Sequence, residues 1–182
     1  MLTLKYNYNT ILNVLLFLII STTIYISTIL NLNTNNFSDL ISISNPIIYI
    51  WSIICSSYTV LNLKIIKKYN INMLLYIFIF LNLIIFIPYN PINNMLVSQI
   101  HIILAILGFI FLMYTLLKEI YYYIFFKAKY YLIIKYLFII MILLLSYIYL
   151  EYSMINTKFQ LVFIILYVVI IRILSSNNEY YN

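Results

Sequence analysis

Apolar residues do not alternate with polar ones along this chain. They come in six long runs, at 10–30, 46–63, 72–88, 97–117, 131–150 and 159–174, separated by short polar clusters at 31–45, 64–71, 89–96, 118–130 and 151–158. A helix needs roughly 20 apolar residues to cross the hydrocarbon core, and somewhat fewer suffice when the flanking side chains reach out to the interface. In lipid the backbone must satisfy its own hydrogen bonds, which leaves helices and closed barrels as the spanning structures. Continuous runs, rather than alternation, exclude the barrel. The expectation is an all-α polytopic membrane protein, a single domain over 1–182 built as a bundle of six transmembrane helices with short loops and a polar tail at 175–182. The longest connection, 31–45, is too short for a separate folded head. The first run exceeds the length of a signal-peptide core and no A-x-A-like cleavage site follows Leu30, so it reads as a retained helix.

Composition agrees with that pattern. A soluble domain is about half apolar and about a quarter charged, whereas this chain is 66% apolar and 8% charged, with a mean hydropathy of +1.07. Lipid is therefore the solvent for most of it. The residue set is dominated by Ile, Leu, Tyr, Asn, Phe and Lys, with one glycine, Gly108, and two alanines, Ala105 and Ala128. That is what very A/T-rich codons write, and it points to an organellar genome or another low-GC source. Small-residue helix contacts are correspondingly scarce, so the helices are expected to pack through Ile, Leu, Phe, Ser and Thr. Cys55 is the only cysteine, which rules out an intrachain disulfide and reads as a small buried hydrophobe.

Charge sets the orientation. Lys5, Lys64, Lys67, Lys68, Lys118, Lys127, Lys129 and Arg172 fall on one side of a six-pass trace, and Lys158, with Asp39 and Glu151, on the other. By the positive-inside rule the basic side faces the cytoplasm or a mitochondrial matrix, and both termini lie there. The net charge of +6 thus reads as topology and not as nucleic-acid binding. Tyr121, Tyr122, Tyr123, Tyr130 and Tyr131 bracket the basic fourth connection as an interfacial aromatic belt would, and Tyr180 and Tyr181 end the chain in the same chemistry.

Ionisable and amide groups inside the runs are the candidates for chemistry. His101, the only histidine, lies one turn into the fourth run. It is a candidate ligand for haem, a quinone or a proton, or else a helix-end residue hydrogen-bonded to a neighbouring loop. One histidine cannot complete a bis-His haem or a zinc site within the chain. Lys135 and Arg172 lie near the basic ends of their runs, where the stems can snorkel. Glu119 beside Lys118 reads as an interfacial pair in a loop. Of Asn13, Asn62 and Asn82, only Asn82 stands near the middle of a run, where an amide needs a partner on another helix. No G-x-x-x-x-G-K-[ST], H-E-x-x-H, C-x-x-C or G-x-S-x-G occurs, and no carboxylate pair stands in mid-membrane. The expected site inventory is accordingly Asn82, His101 and Lys135 as intramembrane polar groups, with no catalytic residue, no metal, and no cofactor in the chain alone. Lipids and other membrane subunits are the expected partners.

Two segments resemble known families. Ser44-Asn45-Pro46-Ile47-Ile48-Tyr49-Ile50-Trp51 is similar to the S-x-N-P-V-x-S-V opening of the second helix in chain 6 of mitochondrial NADH:ubiquinone oxidoreductase, with Tyr76-Ile77-Phe78-Ile79-Phe80 standing where that family has Y-V-G-A-I. This resemblance implies a non-catalytic subunit of a respiratory-chain complex in the mitochondrial inner membrane, with a structural, helix-packing role. The stretch from Pro88 to Phe109 resembles the third-to-fourth helix junction of the DRAM-like six-pass proteins, through Pro88, His101 and Ala105. It implies a stand-alone transporter or lipid-modulating protein with a polar cavity near His101 and Pro88.

Overall fold

In the computed structural model, residues 2–42, 45–66, 69–90, 92–125 and 130–176 are described, with the backbone alone for 2–7 and 42. They form helices and connections, with no strand among them. These are α1 (Leu2–Ile29), α2 (Asp39–Ser42), α3 (Pro46–Ile65), α4 (Ile71–Phe86), α5 (Met95–Phe125), α6 (Tyr131–Tyr152) and α7 (Thr157–Ser176). Five of them, α1, α3, α5, α6 and α7, are long and apolar enough to cross a membrane. The sixth apolar helix, α4, has 16 residues, which is roughly 24 Å of helix against a hydrocarbon core of about 30 Å. Lys67, Lys68, Lys127, Lys129, Ser44, Tyr180, Tyr181 and all but the first two residues of the 175–182 tail lie outside the described residues.

Asparagines start the helices. Asn45 Oδ1 accepts from the Ile47 N–H at 3.1 Å, with Pro46 in the first turn of α3, and Asn70 Oδ1 accepts from Met73 N–H at 2.8 Å at the start of α4. Asn94 Oδ1 does the same for Val97 and Asn156 Oδ1 for Phe159. Each satisfies a donor that the first helical turn leaves unpaired, where lipid offers no substitute. α4 ends at Phe86, short of Pro88, because the proline holds Ile87 in an extended conformation (ψ 122°).

Two boundaries differ from the hydropathy reading. α1 begins at Leu2, well before the apolar run, and α5 continues to Phe125 through residues expected as loop. Hydropathy marks where lipid ends, not where a helix ends, and 118–125 contains no glycine, proline or asparagine to stop one. This changes the reading of Glu119. It is a buried residue on α5, and its Oε1 accepts from the Tyr69 hydroxyl at 3.3 Å, while Lys118 Nζ sits 5.9 Å from the centroid of the same tyrosine ring. The two neighbours thus clamp the α3–α4 connection instead of forming a loop pair. Burial, and then the carboxylate of Glu119, push the Tyr69 hydroxyl pKa well above the usual tyrosine value.

α7 is the hub, packing on α1, α3, α5 and α6, while α4 touches only α3 and α5 among its close neighbours. Four helices, α3, α4, α5 and α7, therefore close a ring, with α3 and α5 facing each other across it. Polar ties hold the ring and its neighbours. Trp51 Nε1 donates to Thr23 Oγ1 on α1 at 2.9 Å, the Tyr58 hydroxyl donates to the Val168 carbonyl on α7 at 3.0 Å, and Ser175 Oγ donates to Asn62 Oδ1. Gly108 marks the close approach of α5 to α4, for a Cβ there would stand 2.5 Å from Ile84 Cδ1.

Candidate functional site

Inside the ring lies a cavity of about 470 Å³, within the range of small-molecule sites. From His101 to Leu112 along α5 its wall extends for roughly 16 Å. Two side-chain ladders line it from neighbouring helices. On α3, Ser52, Ser56 and Thr59 recur at helical spacing and turn hydroxyls toward it; on α7, Phe159, Phe163 and Tyr167 recur every four residues and turn aromatic faces toward it. Phe109 of α5 lies 4.7 Å from Phe163 and 5.9 Å from Phe159, centroid to centroid, and Phe163 lies 5.7 Å from Tyr167, so the aromatic wall is continuous.

Asn82 braces the hydroxyl side. Its Oδ1 accepts from Ser52 Oγ at 3.0 Å, and its Nδ2 donates to Ser56 Oγ at 2.7 Å and to the Phe78 carbonyl at 2.9 Å. An amide 7% exposed in the middle of α4 is thereby fully engaged, and it joins α4 to α3. At the depth of the cavity the Tyr167 hydroxyl faces Thr59 and Thr115 but completes a hydrogen bond with neither, and it is the one buried side-chain polar atom without a partner among the described residues.

His101 stands at the other end. Its Nδ1 is 3.1 Å from the Ile87 carbonyl and its Nε2 is 2.8 Å from Ser38 Oγ. A carbonyl only accepts, so Nδ1 carries the proton and, in the neutral ring, Nε2 accepts from the serine. The Tyr89 ring lies against it at 5.4 Å. The first connection is bound down at the same end, for Phe37 N–H donates to Gln160 Oε1 at 2.7 Å, Thr157 N–H to the Asn35 carbonyl at 2.6 Å and Lys158 N–H to the Leu32 carbonyl at 3.1 Å. The cavity is thus roofed at this end by Asn36, Phe37 and Ser38 of the first connection. Its exposed rim is Ile102 and Ile106 of α5 with Ile155 of the α6–α7 connection, each more than two-fifths exposed.

No family model, curated protein or solved structure matches this chain.

The structure places His101 on the cavity wall and Asn82 behind it, bonded to the lining Ser52 and Ser56, and leaves Lys135 out of it. Lys135 is exposed on α6. Arg172 is at the far, basic end, where Nε and Nη2 donate to Asn13 Oδ1 at 3.1 and 3.0 Å and Nη2 to Asn9 Oδ1 at 3.1 Å, tying α7 to α1. Both ring nitrogens of His101 are committed within the chain, so an iron ligated there would have to displace one of them. No group of three or more His, Cys, Asp or Glu residues suited to a metal occurs among the described residues. Sequence reasoning passed over Ser52, Ser56, Thr59, Phe163 and Tyr167. Their spacing along one helical face was the available signal, and it was hidden by how common Ser, Thr, Phe and Tyr are in this chain.

Proposed function

We propose that this chain is a six-pass membrane protein that receives a lipophilic molecule in the cavity between α3, α4, α5 and α7, as a stand-alone transporter or lipid-modulating protein. In this reading α4 is the sixth crossing, short and held within the bundle by Asn82, and both termini lie on the basic side. The cavity carries the reading. A bundle serving only as packing surface forfeits dispersion contacts along a cleft of this size, whereas a binding site requires one. Its apolar rim suits entry from the bilayer, and its roof suits retention. Native mass spectrometry of the full chain released from detergent tests this. A small molecule bound to the wild type and absent from Ala105→Phe, which fills the cavity, is expected; equal spectra overturn the proposal.

A second reading, a non-catalytic subunit of a respiratory-chain complex in the mitochondrial inner membrane, is supported by the A/T-skewed residue set and by α6. That helix buries Ile134, Met141, Leu145 and Ile148 along one line and leaves its other faces exposed, a surface on which further membrane subunits would pack. Solubilisation in mild detergent followed by native electrophoresis separates the two. Co-migrating subunits favour this reading, and a free chain favours the first.

A further inference from the structure

We infer that the cavity takes up an acyl chain of a bilayer lipid, which enters sideways past Ile102, Ile106 and Ile155 while the headgroup stays outside. This rests on reading the cavity as a binding site and adds the class of occupant and its route. Charge narrows the class. Among the described residues the walls contain no Asp, Glu, Lys or Arg, so a phosphate or an ammonium drawn inside would lose its hydration with no partner to replace it. Hydrogen bonding narrows it further, because Ser52, Ser56, Trp51 and His101 direct their donors to the protein itself. Ser52 Oγ donates to Asn82 Oδ1, Ser56 Oγ donates to the Ile53 carbonyl at 3.1 Å and accepts from Asn82, and Trp51 Nε1 donates to Thr23. Both nitrogens of His101 are held, by Ile87 and Ser38, and the Tyr167 hydroxyl is sealed behind the wall with under 1 Å² accessible.

What remains for an occupant is chiefly hydrocarbon and ring surface, from Leu81, Ile84 and Ala105 to Phe109, Leu112 and Phe163 farther along. An apolar space of this kind gives water too few partners to hold it, and left empty it deprives its lining of dispersion contacts. Hydrocarbon fills it without a desolvation cost. The route follows from the outline of the opening. Asn36, Phe37 and Ser38 close the end beside His101, whereas Ile102, Ile106 and Ile155 are exposed at the side, where α5 passes the α6–α7 connection. A helix long and apolar enough to cross a membrane turns its exposed isoleucines to lipid, so the chains of the surrounding bilayer lie against this opening at the concentration of a solvent. The headgroup, with nothing inside to receive it, is left at the rim, and selection falls on the chain.

Photolabelling in lipid tests this. The full chain is reconstituted in nanodiscs with phosphatidylcholine carrying a diazirine near the end of one acyl chain, with phosphatidylglycerol carrying the same chain, or with phosphatidylcholine carrying the diazirine on its headgroup, and the adducts are mapped by mass spectrometry after irradiation. The chain-end probe is expected to mark the buried lining residues Ser56, Phe163 and Val168 as well as exposed residues such as Leu143, which any surrounding lipid reaches. Ala105→Phe, or Ala105→Leu if the larger side chain prevents folding, is expected to lose the buried adducts and keep those at Leu143. Phosphatidylcholine and phosphatidylglycerol should mark the lining equally, and the headgroup probe should leave it unmarked. Buried adducts from the headgroup probe, or from one phospholipid and not the other, overturn the chain as the recognised part and leave the binding site standing. If the chain-end probe marks no buried lining residue, or marks it equally in the filled variant, the acyl chain is overturned. The native mass spectrum then decides the rest: a small molecule released from the wild type and absent from Ala105→Phe preserves the binding site, and without one both readings fall.

Discussion

Ser38 Oγ and His101 Nε2 lie 2.8 Å apart, joining the first connection to α5 across more than sixty residues of sequence. Because Nδ1 of the same ring is held by the Ile87 carbonyl, one imidazole fastens the roof of the cavity to the end of α4. His101→Ala removes both bonds at once. It is expected to cost about 1–3 kcal/mol and to speed hydrogen exchange at the amides of 36–41, whereas His101→Asn, which keeps one donor and one acceptor, recovers part of the protection. Unchanged exchange in the alanine variant would show that the roof is held without the histidine.

Asn82 ties α4 to α3 through two serines. Asn82→Ala is expected to destabilise the bundle by about 1–2 kcal/mol, the range of interhelical polar contacts in lipid. In a double-mutant cycle with Ser56→Ala the two losses should fall short of additivity, because they share one bond of 2.7 Å. Strictly additive losses would mean that the amide is satisfied independently of the serine.

Arg172 reaches Asn9 and Asn13 with two nitrogens of its planar fork. Lysine keeps the charge but not the fork. Arg172→Lys is expected to loosen α1 from α7 by about 1 kcal/mol, read as faster hydrogen exchange at the α1 amides around Asn9 and Asn13. Equal rates would remove the fork from the α1–α7 contact.

The sixth crossing is tested by sidedness. In a Cys55→Ser background, single cysteines at Asn70 and at Asn93 flank α4. A membrane-impermeant maleimide added to sealed vesicles is expected to label one and not the other. Labelling of both from the same side would leave α4 on one face of the bilayer and reduce the chain to five crossings.

The apolar helices were legible in the sequence because solvent acts locally: a run of apolar residues favours lipid whatever its neighbours do, and a cluster of lysines does not. Helix starts carry a local signal as well, asparagine at 45, 70, 94 and 156 each satisfying a donor two or three residues on, but hydropathy does not pick it out. The need of Asn82 for a partner on another helix followed from its depth alone, but the identity of that partner did not.

Helix ends past the apolar runs, as at α5, were not legible, because no stop signal coincides with the membrane edge there. The cavity was less so. In one dimension Ser52, Ser56 and Thr59 are ordinary hydroxyls and Phe159, Phe163 and Tyr167 ordinary aromatics; they line one cavity only because α4 and α7 bridge α3 to α5 and hold the two apart. Hydropathy is a property each residue carries by itself. A void, a latch such as Ser38 to His101, or an unpaired hydroxyl such as that of Tyr167 is a relation between distant residues, and only the packing of the helices decides it.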